Sequence, residues 1–138
     1  MRITGGIARN RKLISPKTGS RDYIRPTSDR VREALFNILG EHVEGARVLD
    51  LFTGTGSLGI EAMSRGADFV VFTDQFSTSL ELVRNNVLLC FQHPKAEIIR
   101  LNLDKIKSFQ TLYEKFAAQK PFNLVFLDPP YEKKLAEK

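Results

Sequence analysis

Apolar segments of strand length alternate with segments of helical periodicity from residue 46 onward. The strand-like segments are residues 47–52, 69–73, 97–101 and 122–127. The helical segments lie between them, at about residues 57–65, 78–91 and 106–116. Strands that alternate with helices favour a parallel sheet with helices packed on both faces. The sequence therefore predicts an α/β fold, with its ligand beyond the carboxyl ends of the strands.

The N-terminal third carries the whole net positive charge of the chain. The formal net charge is +5, and residues 48–138 hold equal numbers of acidic and basic side chains. Alternation of polar and apolar residues at 2–4 and 12–14 predicts a short hairpin. A basic segment beside a neutral one indicates a polyanion partner, because Lys and Arg release counterions from phosphates. We therefore divide the chain into a basic hairpin-and-helix extension, residues 1–45, and a second domain, residues 46–138.

A helix is predicted in the later part of the extension. Thr27 or Ser28 can cap its first amides, and Gly40 suits its end. Its predicted apolar face consists of Val31, Ala34, Leu35, Ile38 and Leu39. Arg30 and Arg32 lie off that face, so both are expected to reach solvent or a partner.

The turn after the first strand combines an acid with closely spaced glycines. Gly54, Gly56 and Gly59 form a literal G-x-G-x-x-G, but three residues separate Asp50 from the first of them. A carboxylate at this place would repel the pyrophosphate of a dinucleotide and would suit an ammonium or sulfonium centre. Glycines let the backbone approach such a ligand closely. The alternative is a tight turn with a purely structural role.

Polar residues also follow the second and third strands. Asp74 can accept hydrogen bonds from both hydroxyls of a ribose. Asn102 could bind an adenine edge, with Asp104 as the rival for that role. Each of them could instead cap the helix that follows.

The fourth strand ends in Asp128-Pro129-Pro130-Tyr131. The two prolines stiffen the chain and remove two backbone donors, while nearby carbonyls remain acceptors. A carboxylate, a rigid carbonyl and an aromatic ring together can bind a planar amine, orient its lone pair and stack on its base. The alternative is a stiffened strand exit with a surface tyrosine.

These motifs resemble those of class I S-adenosylmethionine-dependent methyltransferases, which have a Rossmann-like sheet. Residues 50–66, DLFTGTGSLGIEAMSRG, are similar to the family's first motif. DPPY at 128–131 is similar to the fourth motif of enzymes that methylate exocyclic amino nitrogens. Residues 1–13, MRITGGIARNRKL, and 25–39, RPTSDRVREALFNIL, resemble the RsmD-type 16S rRNA guanine-N2 methyltransferases. The likeness covers nearly the whole chain.

The resemblance implies a role for each matching residue. Those expected to bind S-adenosyl-L-methionine are Asp50, Thr53, Gly54, Gly56, Asp74 and Asn102. Those expected to hold the target amine are Asp128, Pro129, Pro130 and Tyr131. The basic side chains expected to contact RNA are Arg2, Arg9, Arg11, Lys12, Arg25, Arg30 and Arg32. Arg25 and Thr27 adjoin a helix start and could instead close over the cofactor pocket.

The resemblance further implies methylation of the exocyclic N2 of a guanine in 16S ribosomal RNA, within a small-subunit particle. We expect a cytoplasmic protein, since the single cysteine, Cys90, allows no intrachain disulfide. A monomer is also expected. No membrane is expected as a partner, because an apolar stretch of about 18 residues is lacking. No metal is expected, because His42, His93 and Cys90 make no ligand cluster.

Three other functions remain open. An adenine-N6 DNA or RNA methyltransferase would use the same DPPY chemistry, and a nicotinamide-dependent oxidoreductase would leave DPPY without a role. The third is a catalytically weak RNA-binding remnant. Members of the family continue past DPPY with further strands, whereas this chain has seven residues after Tyr131. The resemblance therefore implies a sheet that is truncated at its C-terminus.

Overall fold

A computed structural model of the protein describes residues 1–16 and 27–129. Its strands are β1 (Arg47–Asp50), β2 (Phe69–Asp74), β3 (Ala96–Arg100) and β4 (Leu124–Phe126). Its helices are α1 (Asp29–Leu39), α2 (Ser57–Ser64), α3 (Ser77–Cys90) and α4 (Ile106–Phe116), and a 3-10 helix, Gly40–His42, follows α1. Every strand and helix predicted from residue 46 onward is present, with its ends displaced by no more than two residues.

The four strands form one parallel sheet in the order β3-β2-β1-β4. β1 pairs with β2 on one side and β4 on the other, so Asp50 lies beside Phe72 and Phe126. The chain moves outward from β1 to β3 and then returns to the far side of β1 for β4. In open parallel sheets a ligand crevice lies at such a reversal of strand order. The topology therefore brings the ends of β1 and β4 together where a ligand is expected.

Both faces of the sheet are covered, as predicted. Successive residues of a strand point to opposite faces. Val70 and Phe72 pack in a core cluster with residues of the N-terminal segment, α1, α2 and α3. Val71 faces the other way and packs with Leu112 and Phe116 of α4. In the part of the chain that the structure describes, no helix has the length and apolarity needed to cross a membrane.

The N-terminal segment, residues 1–16, belongs to the same core. Ile3 and Leu13 are buried in it. Arg2 and Lys12 form one antiparallel bridge, and the Ile3 amide donates to the Arg11 carbonyl at 3.0 Å. The predicted hairpin is therefore present as an antiparallel pair of segments, with one bridge and three backbone hydrogen bonds between them.

Two side chains of α2 attach the N-terminal segment to the sheet domain. The Glu61 carboxylate accepts hydrogen bonds from the amides of Thr4 and Gly5, at 3.0 Å each. The Ser64 hydroxyl donates to the Gly5 carbonyl at 2.6 Å and accepts from the Ala8 amide at 2.9 Å. Side chains of α2 thus form hydrogen bonds with backbone groups of the segment. In a regular hairpin, such groups would pair between the two strands.

Helix α1 turns a face to the core that is rotated from the predicted one, although Leu35 and Leu39 of the predicted face do pack against the core. Val31 and Ile38, which belong to the predicted apolar face, are 57% and 82% exposed. The buried residues are Arg32 and Phe36. The prediction that Arg32 reaches solvent is wrong, because its guanidinium is paired in the core with Glu61, an equally buried carboxylate. A prediction from periodicity places every charged residue at the surface. The predicted apolar face of α1 therefore excluded Arg32.

The periodicity of α4 predicts one apolar face, of which only part is buried. That face consists of Ile106, Phe109, Leu112, Tyr113 and Phe116. Leu112 and Phe116, one turn apart, are buried against the sheet. Ile106, Phe109 and Tyr113 are exposed. The predicted helix is correct in its bounds, but only part of its apolar face contacts the rest of the described protein.

Candidate functional site

Asp50 lies at the carboxyl end of β1 and is fully enclosed. Its Oδ2 accepts hydrogen bonds from the Thr53 hydroxyl at 3.0 Å and from the Gly59 amide at 3.1 Å. Burial raises the pKa of Asp50 to about 7, against the effect of these two hydrogen bonds. Asp128 and Asp74 raise the pKa further by charge repulsion. A cation that enters the site would therefore stabilise the ionised form of this carboxylate.

The glycine-rich loop after β1 is fastened to the end of β2. Gly54 and Gly56 have φ angles of +55° and +84°, which residues with a Cβ rarely adopt. The Thr53 amide donates to the Thr73 carbonyl at 3.0 Å, and the Gly54 amide donates to Asp74 Oδ2 at 3.1 Å. The loop therefore runs close beside the end of β2, directly before α2 begins.

Gly59, the third glycine of the motif, allows α2 to pack closely on the sheet. A Cβ on Gly59 would lie 2.2 Å from the ring of Phe72 in β2. Only glycine lets α2 approach the sheet this closely. The literal G-x-G-x-x-G thus combines two loop glycines with one contact between helix and strand.

Asp74 ends β2 and fixes both loops around it. Its Oδ2 accepts from Gly54, as described above, and its Oδ1 accepts from the Phe76 amide at 3.1 Å. The cap position of α3 is Phe76, so Asp74 shapes the turn before the helix without being its cap. Its carboxylate lies between the two loops at the carboxyl edge of the sheet.

Asn102 follows β3 and shapes the loop that leads to α4. Its Oδ1 accepts a hydrogen bond from the Asp104 amide at 3.0 Å. Its backbone carbonyl accepts from the Ser108 hydroxyl at 2.6 Å. Lys105 holds the cap position of α4, so neither Asn102 nor Asp104 caps that helix, and the alternative is wrong. The contact of Asn102 with an adenine stays a prediction.

Asp128 lies two residues beyond the end of β4 and is exposed, as is Pro129. Its Oδ2 accepts a hydrogen bond from the Thr27 hydroxyl at 3.0 Å. Thr27 thus reaches the carboxyl end of the sheet from the start of α1, 101 residues away in sequence. The predicted site residues Pro130 and Tyr131, and the predicted RNA contact Arg25, lie outside the described residues.

Most of the described basic residues that we selected as RNA contacts are on the surface. Those that are exposed are Arg2, Arg9, Arg11, Lys12 and Arg30. The Arg2 guanidinium donates to the Asn10 carbonyl at 2.8 Å, so part of its hydrogen-bonding capacity is used within the N-terminal segment. Arg32 is the exception, since its guanidinium is enclosed in the core and cannot contact RNA.

Two buried polar residues, Glu61 in the first motif and Asn86 on α3, were not predicted from the sequence. Glu61 lies in α2, whose eight residues are all buried. Asn86, on α3, accepts from the Ile14 amide at 2.7 Å and donates to the carbonyls of Ile14 and Thr55, at 3.1 and 3.0 Å. The signal for Glu61 was present, because a lone acid in a short apolar helix needs a buried partner. Asn86 links the N-terminal segment to the glycine-rich loop and had no comparable signal.

Comparison with known proteins gives a family. The family model described as "Conserved hypothetical protein 95" matches residues 1–138. The chain belongs to this family. The conserved hypothetical protein 95 family is the RsmD-type family that the sequence motifs resemble, so that prediction is confirmed.

Two curated relatives share a name. Ribosomal RNA small subunit methyltransferase D of Haemophilus influenzae is 40% identical over 139 residues, which are 99% of this chain and 67% of the relative. The protein of that name in Escherichia coli is 38% identical over 140 residues, with coverage of 99% and 63%. This member of the conserved hypothetical protein 95 family thus spans about two thirds of the length of these relatives.

A solved structure has the same fold. The hypothetical protein TTHA0928 from Thermus thermophilus is 31% identical, with a TM-score of 0.75 and coverage of 99% of this chain and 73% of the other. Likeness to two further solved structures, described as a putative methyltransferase and a putative RNA methyltransferase, confirms the prediction of a Rossmann-like class I methyltransferase fold. Within the conserved hypothetical protein 95 family, the carboxyl edge of this sheet is therefore the place to look for function.

Proposed function

We propose that the protein takes part in methyl transfer from S-adenosyl-L-methionine to the exocyclic N2 of a guanine in 16S ribosomal RNA. The observation that carries the proposal is the meeting of Asp50, the glycine-rich loop, Asp74 and Asp128 at one edge of the sheet. The names of the relatives support a ribosomal RNA substrate. The DPPY motif supports an exocyclic amine as the acceptor of the methyl group.

The residues at this edge fit the proposed cofactor. The enclosed carboxylate of Asp50 suits the positive charge of a sulfonium and of the methionine ammonium. Gly54 has no Cβ, so its backbone leaves room for the ligand. Asp74 is proposed to accept from the ribose hydroxyls, and Asn102 to lie by the adenine. When bound, S-adenosyl-L-methionine supplies the methyl group for transfer.

Asp128 is proposed to hold the target nitrogen. Its carboxylate accepts a hydrogen bond from the exocyclic amine and stabilises the positive charge that develops there. The carbonyls of Pro129 or Pro130 accept a second hydrogen bond, and Tyr131 stacks on the base. A general base is not required, because a methylated amine that carries positive charge loses its proton readily. Orientation of the amine by fixed acceptors supplies much of the acceleration.

The N-terminal extension is proposed to bind the RNA. The exposed Arg9, Arg11 and Lys12 follow one another closely on the N-terminal segment. Phosphate contacts of this kind position an RNA without reading its sequence. We propose that residues 1–45 supply these contacts and that residues 46–138 bind the cofactor. A guanine swung out of its stack would then reach Asp128.

Transfer of labelled methyl from S-adenosyl-L-methionine tests the function. Purified small ribosomal subunits, free 16S RNA and duplex DNA are offered in parallel, and labelled nucleosides are separated after digestion. We expect N2-methylguanine from the ribosomal substrates. Label that is found only in adenine of the DNA would contradict the proposal and favour the adenine-N6 alternative. Calorimetric binding of a nicotinamide dinucleotide without binding of S-adenosyl-L-methionine would favour an oxidoreductase.

Replacing Arg9, Arg11 and Lys12 by Ala is expected to weaken RNA binding. Each lost phosphate contact should reduce the slope of log affinity against log salt concentration by about 0.7 to 0.9. Filter binding or anisotropy at several salt concentrations measures this slope. A matched control replaces three exposed lysines of the neutral part, Lys105, Lys107 and Lys120. Equal slopes for the two triple variants would count against an RNA-binding role for the extension.

Affinity for the cationic cofactor is expected to fall in mildly acidic solution. Burial raises the pKa of Asp50 to about 7, so the carboxylate is mostly ionised at pH 8 and mostly protonated at pH 6. Affinity for S-adenosyl-L-methionine should therefore fall about tenfold between these values. S-adenosylhomocysteine lacks the sulfonium charge and should show a smaller change. Calorimetry with both ligands at both pH values is the measurement.

The stability of the unliganded protein should also depend on the titration of Asp50, but in the opposite direction, since it should be higher in acid. The folded pKa of Asp50 lies above its unfolded value of 3.8, so the folded state holds an extra proton between 3.8 and about 7. Its contribution to the free energy of unfolding is full below 3.8 and is lost as the pH rises through 7. An Asp50→Asn variant should lack both pH effects. A cofactor affinity that stays constant from pH 6 to 8 would contradict a titration of Asp50 that is coupled to the bound positive charge.

A further inference from the structure

Thr27 is the residue through which α1 reaches the end of β4. Its hydroxyl donates to Asp128 Oδ2 at 3.0 Å. We propose that Thr27 is a positioning residue, which fixes the Asp128 carboxylate in the orientation that receives the target amine. This inference rests on the proposed function, because it assigns to Thr27 an effect on the chemistry of Asp128.

The backbone of Thr27 is itself held from the core. The Arg32 guanidinium donates to the Thr27 carbonyl at 3.1 Å. The same guanidinium donates to Glu61 and to Asp29, at 2.9 Å each, and to the carbonyl of Arg2. Arg32 and Glu61 have side chains that are 0% exposed. A buried, fully paired guanidinium has little freedom to move, so it sets the place of Thr27.

A second contact ties α1 to β4. The rings of Phe36 and Phe126 lie with their centroids 5.6 Å apart and a tilt of 55°. Phe126 is buried in the core and precedes Asp128 by two residues. α1 is therefore attached to the end of β4 at two places, and the distance between Thr27 and Asp128 is set by packing as well as by their own hydrogen bond.

The position of Asp128 explains why it needs such a partner. The carboxylate is exposed and lies beyond the last paired residue of β4. An exposed aspartate rotates about its side-chain bonds unless a neighbour holds it. Thr27 supplies a donor from a β-branched side chain, whose χ1 is stiff. With Oδ2 engaged by Thr27, the target amine is expected to donate to Oδ1.

The inference gives the N-terminal third a part in catalysis besides RNA binding. Arg32, which the sequence analysis assigned to RNA, acts inward through Thr27 on Asp128. The same guanidinium binds the carbonyl of Arg2, on the N-terminal segment. One buried side chain thus connects the proposed RNA-contact surface to the proposed methyl-transfer site.

Two substitutions of Thr27 separate positioning from a structural effect. Thr27→Val keeps the shape and removes the donor, and Thr27→Ser keeps the donor. We expect Thr27→Val to lower kcat of methyl transfer about tenfold, with the KM values for RNA and cofactor unchanged within about twofold. Thr27→Ser should restore most of the rate. Thr111→Val is the matched control, because it removes an exposed threonine hydroxyl from α4.

A second measurement does not depend on activity. The free energy of unfolding of Thr27→Val, Asp128→Ala and the double variant gives a double-mutant cycle, in which coupled residues depart from additivity. Unchanged kcat in Thr27→Val, additivity in the cycle, or a loss confined to cofactor affinity would each overturn the inference. A wild-type protein without methyl transfer to RNA would contradict the proposed function, and the cycle would still decide whether Thr27 holds Asp128.

Discussion

Replacing Asp128 by Ala is expected to lower kcat for methyl transfer by a factor of about 100 to 1,000, with cofactor affinity nearly unchanged. The proposed role of the carboxylate is to hold the exocyclic amine and to stabilise the charge that develops on it. That interaction is stronger in the transition state than in the ground state, so its loss falls on kcat. Initial rates with labelled cofactor, together with calorimetric binding of S-adenosyl-L-methionine, measure the two quantities.

Another exposed aspartate provides the control for this substitution. Asp68 lies at the amino end of β2, on the edge of the sheet opposite to Asp128. Asp68→Ala removes the same charge from the surface and should leave kcat unchanged. An Asp128→Ala variant that retains full turnover would refute the proposed role of Asp128. A comparable loss of cofactor affinity would move Asp128 from the amine site to the cofactor site.

The order of the strand-end residues was predictable because it depends on local sequence. A short apolar strand followed by a glycine-rich turn predicts β1 and its loop with no knowledge of the rest of the fold. The rule that parallel strands end at one edge then brings Asp50, Asp74 and Asp128 together. The structure agrees, since Asp50 pairs in register with Phe72 and Phe126, and Asp74 and Asp128 each follow two residues later.

The attachment of the N-terminal third was not predictable in the same way. The hydrogen bond between Thr27 and Asp128 joins residues 101 apart, and the pair of Arg32 and Glu61 joins residues 29 apart. No periodicity relates such positions. A periodicity argument also treats every arginine as a surface residue, and Arg32 is the case in which a buried partner overrides it. The predicted apolar face of α1 was displaced for this reason.

The net charge of +5 does not show which basic side chains are paired within the protein and which are exposed. Arg32 is neutralised within the core, and Arg65 donates to Glu61 at 2.8 Å. The exposed Arg9, Arg11 and Lys12 remain as the compact basic surface of the N-terminal segment. Asp50, Asp74 and Asp128, which end or follow β1, β2 and β4, lie at the carboxyl edge of the sheet. Anionic RNA and a cationic cofactor would therefore be attracted to different parts of the molecule.

Replacing Glu61 by Ala is expected to reduce the free energy of unfolding by about 3 to 5 kcal/mol. The substitution leaves the enclosed Arg32 guanidinium without its buried partner and leaves the amides of Thr4 and Gly5 without an acceptor. Denaturant unfolding measures the loss. Glu97→Ala is the matched control, because Glu97 pairs with Lys115 at 3.5 Å on the surface and should contribute no more than about 1 kcal/mol.

The pH dependence of stability distinguishes a charged role of Glu61 from simple packing. Burial alone would raise its pKa, but hydrogen bonds from Arg65, Thr4 and Arg32 outweigh burial and hold the pKa below its usual 4.5. A depressed folded pKa gives stability that is present above 4.5 and is lost as the pH falls through the folded value. Glu61→Gln should therefore be least stable relative to wild type near neutral pH, and the difference should shrink in acid. A difference that is constant from pH 7 to pH 3 would mean that the shape of Glu61, and not its charge, holds the N-terminal third against the sheet.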